Sequence, residues 1–278
     1  MLYNNPVYFT TTTNTCMGKE LLPMITFEAK IREQTVRMYA DLPLKNAAGA
    51  VMNVLTQVSH KVNIFNNKFV LCFGWSFFFL TEKQDENGEK FWLVETSDYR
   101  KNPVRDRTDN ATLSLIVQNM QREAVQVAKV KPEGCTFKDT ILVLKDAIEA
   151  EEVYMHRKDV AKDGDSGWYF GLLDDPKEEE RPLSDFQAVP SYKLMEFRMG
   201  AMRVLQMPVG TVAVFKGNEM TALVDGEDKA LHFTTEEERK RLGEQQRAEF
   251  EAEVAKARER ALAAQQNASA DGDKKDSE

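Results

Sequence analysis

The residues of this chain that could do chemistry are concentrated in one stretch, Gly164–Phe170, which contains two glycines, an aspartate, a serine and large aromatic side chains. Ser166 could act as a nucleophile if a histidine took its proton, and His156 and His232 are the candidate bases. The stretch lacks the Gly-x-Ser-x-Gly elbow that exposes such a serine, because Trp168 stands where the elbow has its second glycine. A serine hydrolase using Ser166 is therefore an alternative hypothesis for this chain.

The same stretch also has a structural interpretation. Asp165 and Ser166 can hydrogen-bond to their own backbone in a tight turn, and Trp168 can fill the core beneath it. A calcium loop would begin at Asp163 and Asp165, but Trp168 occupies the position at which that loop requires glycine. The residue types therefore predict a turn and not an ion site.

Two strands must hold this turn in place. Val153–Arg157 alternates in the manner of a strand, and Trp168–Leu173 is the strand that leaves the turn. The polar segment Lys158–Asp163 connects them, which predicts a β-hairpin.

Three patches of sequence follow one another in a characteristic order. Asp165-Ser-Gly-Trp-Tyr-Phe170 is followed by Val189-Pro-Ser-Tyr192 and then by Met207-Pro-Val-Gly-Thr-Val-Ala-Val-Phe215. In this order, roughly residues 136–228 resemble the small α+β domain of bacterial polymorphic-toxin immunity proteins that carry an Asp-Ser-Gly-Trp signature. That family was first described as a domain of unknown function. The resemblance implies a protein that is not an enzyme and that binds and neutralises a cognate protein toxin.

The resemblance also indicates which residues carry the motif. The residues that would contact the partner, or hold the motif together, are Asp165, Ser166, Gly167, Trp168, Tyr169, Phe170, Asp174 and Asp175. Trp168 and Tyr169 are the expected interface anchors, since desolvated aromatic side chains ringed by polar groups dominate protein interfaces. Pro208 and Gly210 are expected to be structural, because they bracket the turn into the next strand.

The charge of the chain restricts its partners. The 278 residues carry a net charge of −8, which disfavours nonspecific binding to nucleic acid or to an anionic membrane. Such a charge would suit a basic toxin. The acidic run Asp174–Glu180 is either a solvated loop or a patch offered to that partner.

The cysteines and histidines do not indicate a cofactor. The three cysteines, Cys16, Cys72 and Cys135, are scattered, fit neither a disulfide framework nor a zinc spacing, and predict a reducing, cytoplasmic location. The three histidines are isolated, and the chain has no Walker or Rossmann phosphate loop. We therefore expect neither a metal nor a cofactor.

Changes in composition divide the chain into four parts. Residues 1–23 are expected to be disordered or an over-long start, and Lys131-Pro-Glu-Gly134 separates an N-terminal domain, 24–131, from an immunity-like domain, 135–233. Residues 234–278 are expected to form a charged helix and a disordered tail. The predicted fold class is α+β, with two small mixed domains built on antiparallel hairpins.

Two helices and one hairpin are predicted in the N-terminal domain. Apolar residues at helical spacing indicate helices from Asn46 to His60 and from Ala111 to about Lys129. The apolar run Phe69–Leu80 is too short for a membrane span. It is predicted to pair with Lys90–Glu95 through an Asn87-Gly88 turn.

Three features leave alternatives open. Residues 26–41 fit a helix or a strand, and Gly74 in the aromatic run indicates a bulge or a close backbone approach. The aromatic run predicts core packing, with an exposed recognition surface as the alternative. The charged C-terminal helix could bind a partner unrelated to toxins, so a scaffold or regulatory protein is a third hypothesis.

Overall fold

The computed structural model describes residues 8–11, 24–159, 163–177, 180–245 and 248. It contains two mixed β-sheets and packed helices, which confirms the predicted α+β class. Residues 1–233 form one compact unit, and residues from Thr234 onwards form a second. Apart from residues 8–11, the predicted disordered start lies outside the described residues, as do the end of the predicted tail and part of the loop between Lys158 and Asp163.

The first sheet has seven strands. They are β1 (Tyr8–Thr11), β2 (Met24–Ile31), β3 (Gln34–Asp41), β4 (Val70–Phe73), β5 (Ser76–Gln84), β6 (Lys90–Ser97) and β7 (Arg107–Thr108). Their order is β1-β2-β3-β6-β5-β4, with β7 paired to β6. Alternate residues of β2 and β3 are buried in a core that also includes α1 (Lys45–Ser59) and the start of α2 (Thr112–Ala128). Both predicted helices are confirmed.

Residues 26–41 form two strands and no helix. Arg32 and Glu33 connect β2 to β3, and both adopt left-handed backbone conformations with φ of 47° and 66°. A two-residue turn of this type matches the twist of an antiparallel hairpin, although it usually contains glycine or asparagine. The guanidinium of Arg32 donates to the Ser59 carbonyl at the end of α1 at 2.9 Å, which anchors the turn.

The apolar run Phe69–Leu80 also contains two strands. β4 ends at Phe73 and β5 begins at Ser76, so the predicted irregularity at Gly74 is a tight turn with φ of 60°. The predicted hairpin of β5 with β6 is confirmed by the pairing of Gln84 with Lys90.

The second sheet has six strands. They are β8 (Thr140–Leu144), β9 (Glu152–Arg157), β10 (Asp165–Leu172), β11 (Phe186–Pro190), β12 (Val212–Lys216) and β13 (Glu219–Val224), in the order β11-β8-β10-β9-β12-β13. The predicted β9–β10 hairpin is confirmed by antiparallel pairing, and β12 and β13 form a further antiparallel hairpin. The prediction of antiparallel hairpins did not include the parallel pairs β8–β10 and β3–β6.

Helical segments cover one face of the second sheet. α3 (Leu194–Phe197), the 3-10 segment Met199–Val204 and the C-terminal half of α2 share a core with Met155, Phe170 and their neighbours. Gln121 of α2 donates through Nε2 to the Met202 carbonyl at 3.0 Å, which fixes α2 against the 3-10 segment.

Residues from both halves of the chain form one aromatic cluster. The Trp75 ring lies 4.8 Å from Tyr99 and 6.1 Å from Phe137, and Phe77 lies 4.9 Å from Phe137, between ring centroids. The predicted core packing of this aromatic run is therefore observed. Because Phe137 follows the boundary predicted at 132–134, the two halves share buried surface. Their independent folding stays a prediction.

The second unit begins with a helix at residues 236–245. Thr235 Oγ1 accepts the Glu238 N–H at 3.2 Å, and Glu238 Oε2 accepts the Thr235 N–H at 2.9 Å. This reciprocal pair is a capping box, which marks the start of the predicted charged helix.

Candidate functional site

Ser166 is held by the main chain at the start of β10. Its Oγ donates to the Thr140 carbonyl at 2.6 Å and accepts the Trp168 N–H at 3.1 Å, and the residue is only 1% exposed. Asp165 Oδ1 accepts the Gly167 N–H at 2.9 Å, as predicted for a turn whose side chains bond to their own backbone. Ser166 therefore joins β10 to β8, and its proton is committed to a carbonyl.

Trp168 and Phe170 point into the core of the second sheet. Trp168 is 1% exposed, and its Nε1 donates to the Leu205 carbonyl at 3.3 Å. Phe170 is fully buried and meets the Phe197 ring at a centroid distance of 5.5 Å. In this folded state neither side chain offers a partner appreciable surface.

Arg157, which the sequence did not single out as a site residue, lies on β9 and pairs with Trp168 of the motif. Its guanidinium is buried and donates to four main-chain carbonyls, those of Glu133, Gly134, Leu205 and Met207, at 2.5–3.3 Å. Burial lowers the pKa of this group from its ordinary value. Its burial could have been predicted from its position in the strand. Arg157 follows Val153 and Met155 at intervals of two residues, and alternate residues of a strand share a face, which in β9 is the buried one.

Tyr169 lies on the opposite face of the sheet from Trp168, as alternation along a strand requires. It pairs with Leu142 on β8 and His156 on β9, and His156 pairs with Val212 on β12. Directly paired residues share a face, so these four side chains form one row across the sheet.

A second row lies beside the first. Tyr154 on β9 pairs with Gly171 on β10 and with Val214 on β12. The Tyr154 and Tyr169 rings meet edge to face at 5.6 Å. Gly171 makes room for Tyr169, because a β-carbon at position 171 would lie 2.6 Å from the tyrosine hydroxyl oxygen.

We call the surface formed by Leu142, Tyr154, His156, Tyr169, Val212 and Val214 the open face. Leu142 is 46% exposed, and Tyr154, His156, Val212 and Val214 are partly exposed. These exposures contrast with the helix-covered face, where Met155, Trp168, Phe170 and Ala213 are at most 1% exposed. Tyr169 is the one aromatic of the predicted motif on this face, and it is only 9% exposed because its neighbours cover most of it.

His156 is the titratable group of the open face. Burial, together with the nearby Lys158 ammonium, lowers the pKa of its imidazole, which favours the neutral form. Ser166 directs its hydrogen bonds to main-chain atoms, and His232 lies on an exposed segment after β13. The structure therefore does not bring the predicted nucleophile and bases into a hydrogen-bonded pair.

The two predicted acidic residues after the motif differ in their surroundings. Asp174 is exposed. Asp175 bonds to the Arg181 guanidinium at 3.0 Å, and this hydrogen bond lowers the pKa of the carboxyl group. Arg181 also pairs with Asp146 at 2.5 Å and Asp185 at 3.5 Å, so part of the acidic run is neutralised locally.

Pro208 and Gly210 form the turn before β12. The Thr211 N–H donates to the Pro208 carbonyl at 3.2 Å, and Gly210 has a φ of 87°. A β-carbon on Gly210 would lie 2.7 Å from the Gly226 Cα, so the two turns at this end approach closely.

A family model describes part of the chain. The model for the Imm33-like domain matches residues 120–225, from within α2 to the residue after β13. This segment is therefore an immunity-protein-like domain, and the match begins earlier than the residue 136 predicted from the motif. No curated protein and no solved structure shows a significant match to the chain.

Metal sites and membrane spans are two further features that the described residues lack. Among the described residues, no group of three or more histidine, cysteine, aspartate or glutamate side chains could hold a metal ion. The helices of the described ranges are all too short or too polar to cross a membrane.

Proposed function

We propose that this protein is a non-catalytic immunity protein that binds a cognate bacterial toxin and neutralises it. The observation that carries the proposal is the match of the Imm33-like domain model to residues 120–225, which contain the whole second sheet. The motif that suggested chemistry is built into the packing of that sheet, which favours a role in binding over a role in hydrolysis.

Neutralisation would follow from binding alone, because the bound immunity protein would block the toxin. A partner bound over a rigid sheet loses access to its own substrate without any reaction on the immunity protein. The partner is a protein toxin of a bacterial competitor system, and the site of action is the cytoplasm of the cell that makes both proteins.

Co-expression with the product of the neighbouring gene tests the proposal. We expect the toxic gene product to arrest growth alone, growth to be restored by this chain, and the two proteins to elute as one stoichiometric complex. A toxic neighbour that still arrests growth, with no complex, contradicts the pairing.

A second measurement separates binding from hydrolysis. A serine-reactive fluorophosphonate probe should leave Ser166 unlabelled in the native protein, because its Oγ is buried. Labelling of Ser166 together with loss of rescue on labelling would favour the hydrolase hypothesis.

A further inference from the structure

We propose that the open face, with the acidic edge beside it, is the surface on which the toxin docks, and that the toxin presents an apolar centre flanked by lysine or arginine side chains. This inference rests on the proposed function and adds to it the location and chemistry of the interface. It moves the expected contact from Trp168 to the opposite face of the same strand.

The composition of the open face fits the centre of a protein interface. Interface centres are depleted in charge and enriched in aromatic residues, tyrosine among them. Tyr154 and Tyr169 occupy the middle strands, Leu142 and Val212 flank them, and the imidazole of His156 favours its neutral form. Leu142 is 46% exposed and Tyr154, His156 and Val212 are partly exposed, so a partner could cover these side chains.

The tyrosines are held in place before any partner arrives. Tyr169 packs against Tyr154 at 5.6 Å and Phe186 at 6.2 Å, and the Lys158 ammonium lies 5.8 Å from its ring centroid. Side chains fixed in the free protein lose little conformational entropy on binding, which favours affinity.

The end of the sheet beside the open face is acidic, which favours a partner with basic side chains. β8, β10 and β12 end at the edge of the sheet where β9, β11 and β13 begin. The described segments there, 145–152, 173–177, 180–185 and 216–219, contain nine acidic and four basic side chains. Opposite charge on the partner would speed association and fix its orientation.

Part of this acidity is available to a partner. Arg181 and Lys216 are engaged with neighbouring acids. Within the described residues, the other exposed acids at this edge form no ion pair, and we call these four the acidic rim: Glu149, Asp174, Glu180 and Glu219. A docking toxin with lysine or arginine here would gain contacts without displacing an existing pair.

The test uses the full chain and the toxin identified by co-expression, with a catalytically inactivated toxin for affinity measurements. Leu142→Asp places a charge in the open face, and Val104→Asp, at a residue 61% exposed before β7, is the matched control. We expect Leu142→Asp to raise the Kd by about ten-fold or more and Val104→Asp to leave it within about two-fold. Ala188 lies on the edge strand β11, is exposed and pairs with Leu142. Ala188→Arg should therefore also raise the Kd.

A second pair of variants tests the charge. Glu149→Lys with Glu219→Lys reverses two residues of the acidic rim, and Glu86→Lys with Glu89→Lys makes the same change in net charge at the exposed β5–β6 turn. The rim variant should slow association by about ten-fold at low salt, and this difference should shrink as salt is raised. The control variant should associate nearly as fast as the natural protein.

The outcomes separate the two proposals. If the natural chain rescues growth and binds, while the open-face and rim variants bind equally well and fold normally by circular dichroism, the interface lies elsewhere and only this inference fails. If the natural chain neither rescues nor binds, the proposed function fails with it. Selective loss of binding in the open-face and rim variants, with both controls intact, supports the inference.

Discussion

The indole Nε1 of Trp75 donates to Ser191 Oγ at 3.0 Å, which joins two side chains 116 positions apart in the chain. The Ser191 hydroxyl also donates a hydrogen bond to the Thr136 carbonyl at 2.8 Å. Trp75 and Ser191 are both fully buried. The first sheet is therefore fastened to the immunity-protein-like domain by a satisfied polar contact within an aromatic core.

Trp75→Phe should weaken that connection. The variant leaves the Ser191 hydroxyl without its donor and a small cavity beside Tyr99, so we expect a loss of about 1–3 kcal/mol in the free energy of unfolding. Urea denaturation followed by circular dichroism measures this change. An unchanged midpoint would show that the contact contributes nothing.

The same core allows a test of the predicted domain boundary. If residues 24–233 unfold as one unit, tryptophan fluorescence and far-ultraviolet circular dichroism should report one coincident transition. Two separated transitions would support independent domains on either side of residues 132–134.

Ser166→Ala should reduce stability and leave toxin neutralisation in place at a temperature at which the variant is folded. The change removes one donor to the Thr140 carbonyl and one acceptor for the Trp168 N–H, so we expect a loss of about 1–3 kcal/mol. Thermal unfolding and the growth-rescue assay together check this prediction. A stable variant that no longer rescues would instead point to a chemical role for the hydroxyl.

Gly200→Ala should be severely destabilising. A β-carbon at this position would lie 1.9 Å from the Asn218 carbonyl oxygen, so the 3-10 segment or the β12–β13 turn must move, at a cost of about 3 kcal/mol or more. Gly49→Ala is the control, because a β-carbon there meets nothing within 4 Å and the residue lies inside α1. We expect that variant to gain about 0.5–1 kcal/mol.

His156 should make stability depend on pH. Because its pKa is lower in the folded protein, the unfolded chain binds the proton more readily, and protonation favours unfolding. Stability should therefore fall as the pH drops below about 6.5, the ordinary pKa of histidine. His156→Gln should lose less stability than the natural protein between pH 7.5 and 5.5 in urea titrations, and an equal loss in both proteins would contradict the prediction.

Local residue patterns predicted most of the hairpins and both long helices. Asn87-Gly88 and Gly217-Asn218 have the turn residues that mark a hairpin, and α1 and α2 have a clear helical period. The turn at Arg32-Glu33 contains no such residue. The sequence therefore did not distinguish the β2–β3 hairpin from a single helix or strand over residues 26–41. The parallel pairing of β8 with β10 depends on distant segments and has no local signal.

The motif itself was predictable in part. Its turn and its tryptophan behave as the structural interpretation expected, with Asp165 and Ser166 bonded to nearby backbone. The division of Trp168 and Tyr169 between two faces follows from strand alternation, but which face is covered depends on α2 and on the segment after α3. That choice is made by packing across the whole sheet, which the seven residues alone do not encode.

The Trp75–Ser191 contact also has a consequence for protein synthesis. At about 5–20 residues per second, the ribosome needs roughly 6–23 s after adding Trp75 to reach Ser191. During that interval the indole and its aromatic neighbours lack the partner that will bury them. The nascent first sheet therefore keeps part of its aromatic cluster uncovered until translation supplies Phe137 and Ser191.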